Sequence, residues 1–354
     1  MTLPMVSVVM SVFNGERFLR EAVESILDQS FHELEFIVVD DGSTDRSATI
    51  LDYYQQADAR VKVYHEVHRG LIESLNRGCS LAGGKYIARM DADDVASKDR
   101  LMMQVDFMEA HPQIGVLGGA VEWIDATGKS LGIHMHPVED REIKPALLHR
   151  CVLWHPTVVL RREAFVWAGG YRSIFVDAED CDLWLRIAEH FQLANLEAVV
   201  LKYRIHPYQV SMRKRRQQAI CSLAAQAAAI SRRNGNPDPL NGVKEITPVV
   251  LAALGVTEAK QQATLASDWG WWIQSLFAAG QDDMALKSAL EMLRFDWHYA
   301  ERRQISNVHL IVARLYWRRK RFLSSFLATG RAVLMRPVVA GRPLRSALRR
   351  LELV

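Results

Sequence analysis

Short apolar runs alternate with segments of helical period through about the first 130 residues of this chain. A Val-rich run over residues 5–12 precedes a helical stripe over 16–29, and a second apolar run over 34–41 follows. Strands that alternate with helices in this way are typical of βαβ units around a parallel sheet. We therefore predict an α/β fold with a mostly parallel central sheet and flanking helices.

The same alternation predicts the elements that come next. Asn14 indicates a turn after the first strand, and Ser43 is expected to cap a helix that ends near Tyr54. Beyond Met212 one helical segment follows another. Further strands are expected at 61–66, 86–91, 114–125 and 198–206, and further helices over 71–81, over 99–110 and from about Asp180 onward.

Composition limits the class of protein. Of the 354 residues, 49% are hydrophobic and 24% charged, which is typical of a soluble globular protein and excludes disordered, collagen-like and disulfide-scaffold classes. The four cysteines stand far apart without CxxC spacing, which favours free thiols in a reducing compartment. Because the first residues lack a signal-peptide pattern and no apolar stretch is long enough to span a membrane, we expect a cytoplasmic protein.

Charge divides the chain into an acidic front and a basic back. Residues 1–211 carry 21 Lys and Arg against 31 Asp and Glu, whereas residues 212–354 carry 23 against 10. Such an asymmetry indicates two tasks within one chain. We predict an α/β domain over 1–211 and a basic helical region over 212–354.

Two of the predicted strands end in clusters of acidic residues. Asp40 and Asp41 follow one strand, and Asp91, Asp93 and Asp94 follow another. Ligands of open parallel sheets bind beyond the carboxyl ends of the strands, and packed carboxylates repel one another unless a cation neutralises them. Oxygen ligands of this kind suit Mg²⁺ or Mn²⁺ bound with a diphosphate, although each cluster alone could be a solvated loop.

Other phosphate-binding patterns fit poorly. A dinucleotide-binding fingerprint needs GxGxxG after the first strand, but residues 14–19 offer one glycine and an acidic residue. The GxxxxGK[ST] pattern of a P-loop does not occur in the sequence. The acid clusters are thus the best candidates for a nucleotide-binding site.

Four segments taken together resemble a known enzyme family. They are VSVVMSVFNGERFLREAVESILDQSF, IVVDDGSTD, GKYIARMDADD and AEDCDLWLR, in that order between about residues 5 and 211. In order and spacing they resemble family 2 of the nucleotide-sugar glycosyltransferases, which have the GT-A fold. The resemblance implies a Rossmann-like sheet, a nucleotide-diphosphate sugar as donor and Mn²⁺ or Mg²⁺ as cofactor.

The resemblance also implies roles for individual residues on the donor side. Asp91 and Asp93 match the family's DxD motif, with Asp93 as metal ligand and Asp91 on the ribose or the metal, while His206 would reach the metal or the diphosphate. Arg77 is either a phosphate-neutralising residue or an ordinary surface arginine. The remaining nucleotide-binding residues implied are Ser11, Val12, Phe13, Asn14, Glu16, Asp40 and Asp41.

On the acceptor side the resemblance implies a general base. Glu179 and Asp180 match the family's ED motif, and Asp180 would take the proton of the acceptor hydroxyl as that oxygen attacks with inversion. Asp182 is expected to be a helix residue without a catalytic role. For His155 a structural or acceptor-side role and a catalytic role both stay open, and Trp184 is expected in the core.

The basic end of the chain suggests partners beyond the donor sugar. Residues 302–354 hold 13 Lys and Arg and one acidic residue, interleaved with large apolar residues. A helix of this kind suits an anionic membrane surface, which would bring the enzyme to a glycan or lipid-linked acceptor in cell-surface polysaccharide or lipopolysaccharide assembly. A solvated helix face or a subunit interface is the alternative, and no nucleic-acid module is recognisable.

Two other functions stay open at this point. One is a sugar-phosphate nucleotidyltransferase with the same fold, although the Gly-rich basic loop of that class is missing after the first strand. The other is a non-catalytic scaffold that binds a nucleotide sugar.

Overall fold

The structure is a computed structural model that describes residues 4–206, 214–299 and 301–338. These residues form two compact units, one within 1–206 and 221–250 and the other within 207–220 and 251–354. The domain boundary predicted between residues 211 and 212 lies outside the described residues.

One mixed sheet organises the first unit. Within the described residues its strand order is β3-β2-β1-β4-β8-β6-β9-β5, and β7 pairs with β6 at one side. The strands are β1 (Val6–Val12), β2 (Leu34–Asp41), β3 (Val61–Glu66), β4 (Tyr86–Met90), β5 (Val95–Ala96), β6 (Ile114–Ile124), β7 (Ser130–His134), β8 (Val159–Arg161) and β9 (Gln192–Arg204).

The sheet combines parallel and antiparallel strand pairs. β1, β2, β3 and β4 run parallel, as do β6 and β9, whereas β8 lies antiparallel between β4 and β6. β2 and β4 are buried along their whole length, as expected for parallel strands covered by helices on both faces. The predicted α/β architecture is confirmed, with an antiparallel strand inserted into the sheet.

Seven helices of the described residues accompany these strands. In the first of them, Leu19, Ala22, Val23 and Ile26 form the buried stripe that the helical period predicts. They are α1 (Leu19–Leu27), α2 (Ser47–Ala57), α3 (Leu71–Leu81), α4 (Arg100–Ala110), α5 (Asp140–Leu147), α6 (Arg162–Trp167) and α7 (Glu179–Ile187).

Two local predictions were wrong. Ser43 does not cap α2, which begins at Ser47, because the Ser43 hydroxyl accepts the backbone N–H of Asn14 at 3.0 Å. The last strand begins at Gln192, six residues earlier than expected, because its early residues pair with β6 from Ile114 onward.

The rest of the described chain consists of helices joined by loops. The helices Glu258–Ala278 and Asp282–Met292 form a hairpin at Gly280, whose φ of 72° suits a helix end. Trp269 of the first helix donates its indole N–H to Ser288 of the second at 2.9 Å. None of the described helices is long and apolar enough to cross a membrane. The helices are α8 (Arg215–Arg233), α9 (Pro248–Ala253), α10 (Glu258–Ala278), α11 (Asp282–Met292), α12 (Arg302–Arg318) and α13 (Phe322–Met335).

Candidate active site

The carboxyl ends of β1, β2 and β4 meet at one edge of the sheet. Val12 pairs with Asp40 across β1 and β2, and Met10 pairs with Met90 across β1 and β4. The loops after these three strands therefore start side by side. As predicted, both acid clusters lie at this edge.

The loop after β1 is tied to the loop after β2. Asn14 adopts a positive φ of 52° and its side-chain oxygen accepts the N–H of Thr44 at 2.8 Å. The N–H of Glu16 donates to Asp45 at 3.0 Å, and the Glu16 carboxylate accepts the N–H of Arg46 at 3.0 Å. Asn14 and Glu16 thus shape the site by fixing its loops.

Asp40 and Asp41 are buried and bind groups of the protein itself. The Asp40 carboxylate lies 2.9 Å from Nδ1 of His65, and this bond raises the pKa of that histidine. The Asp41 carboxylate accepts the N–H groups of Arg69 and Gly70 at 2.8 and 2.9 Å. Asp40 therefore binds a residue of β3, and Asp41 holds the segment between β3 and α3 against the end of β2.

An aromatic pair lies beside this segment. The rings of Phe13 and His68 stack with their centres 4.1 Å apart, and both side chains are exposed. Val12 is fully buried, and Ser11 is partly buried. Nothing in the sequence pattern singled out His68, which the fold brings to Phe13 from another loop.

Arg77 lies on α3 and forms an ion pair with Glu66, with Nε 3.1 Å from the carboxylate. Its guanidinium also lies over the ring of Tyr64. These contacts agree with the surface role that the sequence left open for it.

The cluster after β4 brings three carboxylates together. Asp91, Asp93 and Asp94 offer ligand atoms that all lie within 4.8 Å of one another. Burial raises the pKa of Asp91 and of Asp94, and one Asp94 oxygen is buried without a hydrogen-bond partner. A divalent cation that takes oxygen ligands would relieve both penalties, so the cluster fits Mg²⁺ or Mn²⁺.

His206 extends this cluster from the end of β9. Its Nε2 atom lies 2.8 Å from Oδ2 of Asp93, and its ring is buried against Phe18. The sequence prediction that His206 belongs with the DxD motif therefore has a geometric basis. The seven residues that follow His206 lie outside the described part of the chain.

Arg204, two residues earlier, holds the acidic loop in place. Arg204 is buried, and its side-chain Nε donates to the backbone carbonyl of Asp93 at 2.8 Å. Its backbone N–H donates to the carboxylate of Asp94, also at 2.8 Å. The guanidinium also binds Glu21 at 2.5 Å and lies over the ring of Phe18. Sequence reasoning missed this residue because its partners are about 110 positions away.

A buried arginine connects the acidic cluster with the ED motif. Arg89, on β4, forms an ion pair with Asp91 and is almost completely buried. Its positive charge also lowers the pKa of Asp180 and of Glu179, which counteracts the effect of their burial. The positive charge of this one buried arginine therefore lowers the pKa of Asp91 as well as that of Asp180, against the effect of burial.

Asp180 itself lies in the first turn of α7. One carboxylate oxygen accepts the N–H of Cys181 at 2.7 Å, and the other lies 3.8 Å from the thiol of Cys151, which donates to it. Burial raises the pKa of Asp180 despite these bonds. A carboxylate with a raised pKa is better suited to accept a proton than a fully solvated one.

Glu179 has a different environment. One oxygen lies 3.7 Å from Nδ1 of His155 and the other is buried without a partner, and burial raises the pKa of Glu179 to about 8. The opposite ring nitrogen of His155 lies 2.8 Å from the hydroxyl of Tyr171. Burial holds the pKa of His155 well below its usual value. The group next to the Glu179 carboxylate is therefore a neutral imidazole.

The two residues expected to be structural are buried. Asp182 binds the guanidinium groups of Arg172 and Arg186, with Nε 3.0 Å from the carboxylate in both cases. Trp184 is fully buried, which confirms that it belongs to the core.

The family model "Glycosyl transferase family 2" matches residues 7–166. An uncharacterized glycosyltransferase of Haemophilus influenzae is 31% identical over 221 residues, which cover 59% of this chain and 68% of that protein. The putative glycosyltransferase EpsE of Bacillus subtilis is 36% identical, with coverages of 57% and 73%. The O-antigen biosynthesis glycosyltransferase WbnJ of Escherichia coli is 30% identical, with coverages of 58% and 81%.

Two solved structures share the fold of this chain. TarS 1-349 of S. aureus in complex with UDP-GlcNAc matches with a TM-score of 0.51 at 16% identity, covering 92% of this chain and 90% of that one. The mannosyltransferase PcManGT of Pyrobaculum calidifontis, in complex with GDP-Man and Mn²⁺, matches with a TM-score of 0.52 at 18% identity, with coverages of 94% and 87%. The predicted GT-A fold is confirmed, and the chain belongs to glycosyl transferase family 2 and is a glycosyltransferase.

Proposed function

We propose that the protein transfers a sugar, with inversion, from a nucleotide-diphosphate sugar to a hydroxyl of a glycan or lipid-linked acceptor. The observation that carries this proposal is the buried positive charge of Arg89, which acts on acids of both motifs. A donor-side acid, Asp91, pairs with this arginine, and an acceptor-side acid, Asp180, lies within its electrostatic reach. An inverting transfer needs an acid that helps to hold the donor close to an acid that acts as base on the acceptor. It needs no covalent enzyme intermediate.

On the donor side, Asp91, Asp93 and His206 would hold Mn²⁺ or Mg²⁺. When bound, the cation supplies charge stabilisation to the departing diphosphate. The exposed Phe13–His68 stack offers a flat surface for the base, next to Ser11 and the buried Val12 at the end of β1. Asn14, Glu16, Asp40 and Asp41 fix the loops around it, and Arg77 would approach the phosphates only after leaving Glu66.

On the acceptor side, the Asp180 carboxylate takes the proton of the attacking hydroxyl. The oxygen of that hydroxyl forms the new bond to the anomeric carbon while the bond to the diphosphate breaks on the opposite face. The N–H of Cys181 and the thiol of Cys151 orient the carboxylate before the acceptor arrives. Glu179, kept neutral by burial, would add no second negative charge beside the base.

The relatives suggest a donor and a pathway. The solved neighbours are complexes with UDP-GlcNAc and GDP-Man, and one curated relative is named for O-antigen biosynthesis. We infer a UDP-linked donor and a role in polysaccharide or lipopolysaccharide assembly on the cytoplasmic face of the membrane. The domain over 1–211 would carry the chemistry, and the region over 212–354 would bind the membrane or a partner.

The test is a donor screen with the purified full chain, Mn²⁺ and candidate lipid-linked acceptors, read by nucleoside diphosphate release and mass spectrometry of the product. We expect release from a UDP-sugar and its loss in Asp93→Ala and Asp180→Asn, whereas the exposed Asp106→Asn serves as control. Full activity of both variants would overturn the assignment. Pyrophosphate release from a nucleoside triphosphate and a sugar phosphate, or donor binding without turnover, would do so too.

A further inference from the structure

The last described helix, α13, buries its small side chains and exposes its large ones. Ser325, Ala328 and Ala332 form the buried stripe. The Ser325 hydroxyl donates to the carbonyl of Ala313 on α12 at 2.8 Å, and the Ser306 hydroxyl of α12 donates to the carbonyl of Ala332 at 3.0 Å. Small residues thus let the two helices approach closely, and the bulky residues of α13 point elsewhere.

These bulky residues form one exposed apolar surface, which we call the α13 face. Single exposed apolar residues are common, but several large apolar residues exposed on one helix indicate an interaction site. The α13 face consists of Phe322, Leu323, Phe326, Leu327 and Leu334, which are 55%, 75%, 74%, 56% and 84% exposed.

Positive charge surrounds the α13 face. Residues 302–338 contain nine Arg and Lys and no Asp or Glu. Arg318 and Arg319 form ion pairs with Asp282 and Asp283 of α11. Lys320, Arg321 and Arg331 are exposed beside the apolar side chains, so that the net charge around the face stays positive.

The charge decides which partner the face fits. A second copy of the same face would bring two positive surfaces together, which costs free energy at low ionic strength. An apolar helix face with Phe and Leu at its centre and Arg and Lys around it is the pattern of helices that lie in the interface of anionic membranes. We propose that the α13 face docks on an anionic lipid bilayer, with the phenylalanine and leucine side chains inserted between the headgroups.

For its biological use this inference rests on the proposed function, because a lipid-linked acceptor would lie in the same bilayer. The binding of the α13 face to anionic lipid does not depend on catalysis. Docking would hold the enzyme where its acceptor is concentrated, without a membrane-spanning helix among the described residues.

The test is sedimentation of the full chain with vesicles of phosphatidylcholine alone or mixed with an equal share of phosphatidylglycerol. We expect binding to the anionic vesicles only, and its loss at high salt. The double variant Leu323→Ser/Phe326→Ser should bind ~tenfold or more weakly, because two large apolar side chains no longer enter the bilayer. Val249→Ser, which alters a side chain 78% exposed on α9, is the matched control and should bind like the wild type.

Two further measurements distinguish a loss of lipid binding from misfolding and from a loss of catalysis. Thermal unfolding should be alike in all three proteins, because the altered side chains are exposed. Nucleoside diphosphate release with a water-soluble acceptor should stay unchanged in the double variant, so a failure of the proposed function would appear in this assay and not in sedimentation. Equal vesicle binding by wild type and double variant, or a dimer in light scattering that the double variant abolishes, would overturn the inference.

Discussion

The Nε2 atom of His206 lies 2.8 Å from Oδ2 of Asp93, across 113 residues of sequence. The contact joins the end of β9 to the loop after β4, and Arg204 reinforces it through the backbone carbonyl of Asp93. A histidine in this position can bind a cation through the same nitrogen that now contacts the carboxylate. The acidic loop and the end of β9 thus form one structural unit.

We expect His206→Ala to weaken the binding of the metal more than it lowers the rate of transfer at saturating metal. Losing a group that orients a metal-binding residue, as His206 does for Asp93, typically lowers metal affinity by ~10- to 100-fold. The Mn²⁺ concentration at half-maximal rate should therefore rise by at least that factor. Nucleoside diphosphate release measured over a Mn²⁺ titration provides the comparison. His32→Ala, at an exposed site, should titrate like the wild type, and an unchanged midpoint in His206→Ala would remove the residue from the metal site.

Arg204→Lys tests whether the acidic loop must be held in place. Lysine keeps the charge but has no planar fork to reach Glu21 and the Asp93 carbonyl at once. We expect a loss of about 1–3 kcal/mol of unfolding free energy from the unpaired buried groups, together with a lower kcat. Chemical denaturation and steady-state rates measure the two effects, and wild-type values for both would show that the loop does not depend on Arg204.

The acids at the sheet edge could be predicted because their pattern is local. Asp40, Asp41, Asp91 and Asp93 directly follow apolar runs of strand length, and the parallel arrangement then fixes the edge to which they go. The turn at Asn14 was predictable for the same reason, since its left-handed conformation is a property of one residue and its neighbours.

The supporting contacts could not be predicted, because each joins segments that are distant in sequence. Arg204 reaches the acidic loop from β9, and His68 meets Phe13 from the loop after β3. The inserted strand β8 is a further example, since a short apolar stretch carries no signal for its direction. Tertiary packing decides such contacts, and a single sequence does not show it.

Asp182→Asn should destabilise the fold without changing the chemistry. The carboxylate binds the Arg172 and Arg186 guanidinium groups while fully buried, and breaking a buried ion pair on one side typically costs about 3–5 kcal/mol. We expect this loss in chemical denaturation and a near-normal rate per folded molecule. Asp106→Asn is the exposed control, and a specific loss of kcat in Asp182→Asn at full stability would assign the residue a catalytic role instead.

Glu179 makes the stability of the fold depend on pH in an unusual direction. Its pKa is about 8 in the folded protein, against an ordinary value of 4.5. Between these values the folded protein keeps a proton that the unfolded chain has released, so the free energy of unfolding falls as pH rises. This contribution is complete below pH 4.5 and is lost progressively up to about pH 8.

Glu179→Gln should remove that slope, because glutamine keeps the shape of the protonated acid and does not titrate. Relative to the variant, the wild type should lose up to about 1.4 kcal/mol of unfolding free energy per pH unit across the window, measured by denaturant titration at several pH values. The exposed Glu163→Gln should follow the wild type. Parallel curves for wild type and Glu179→Gln would mean that Glu179 is ionised in the folded state, and Asp180 would then act beside a second negative charge.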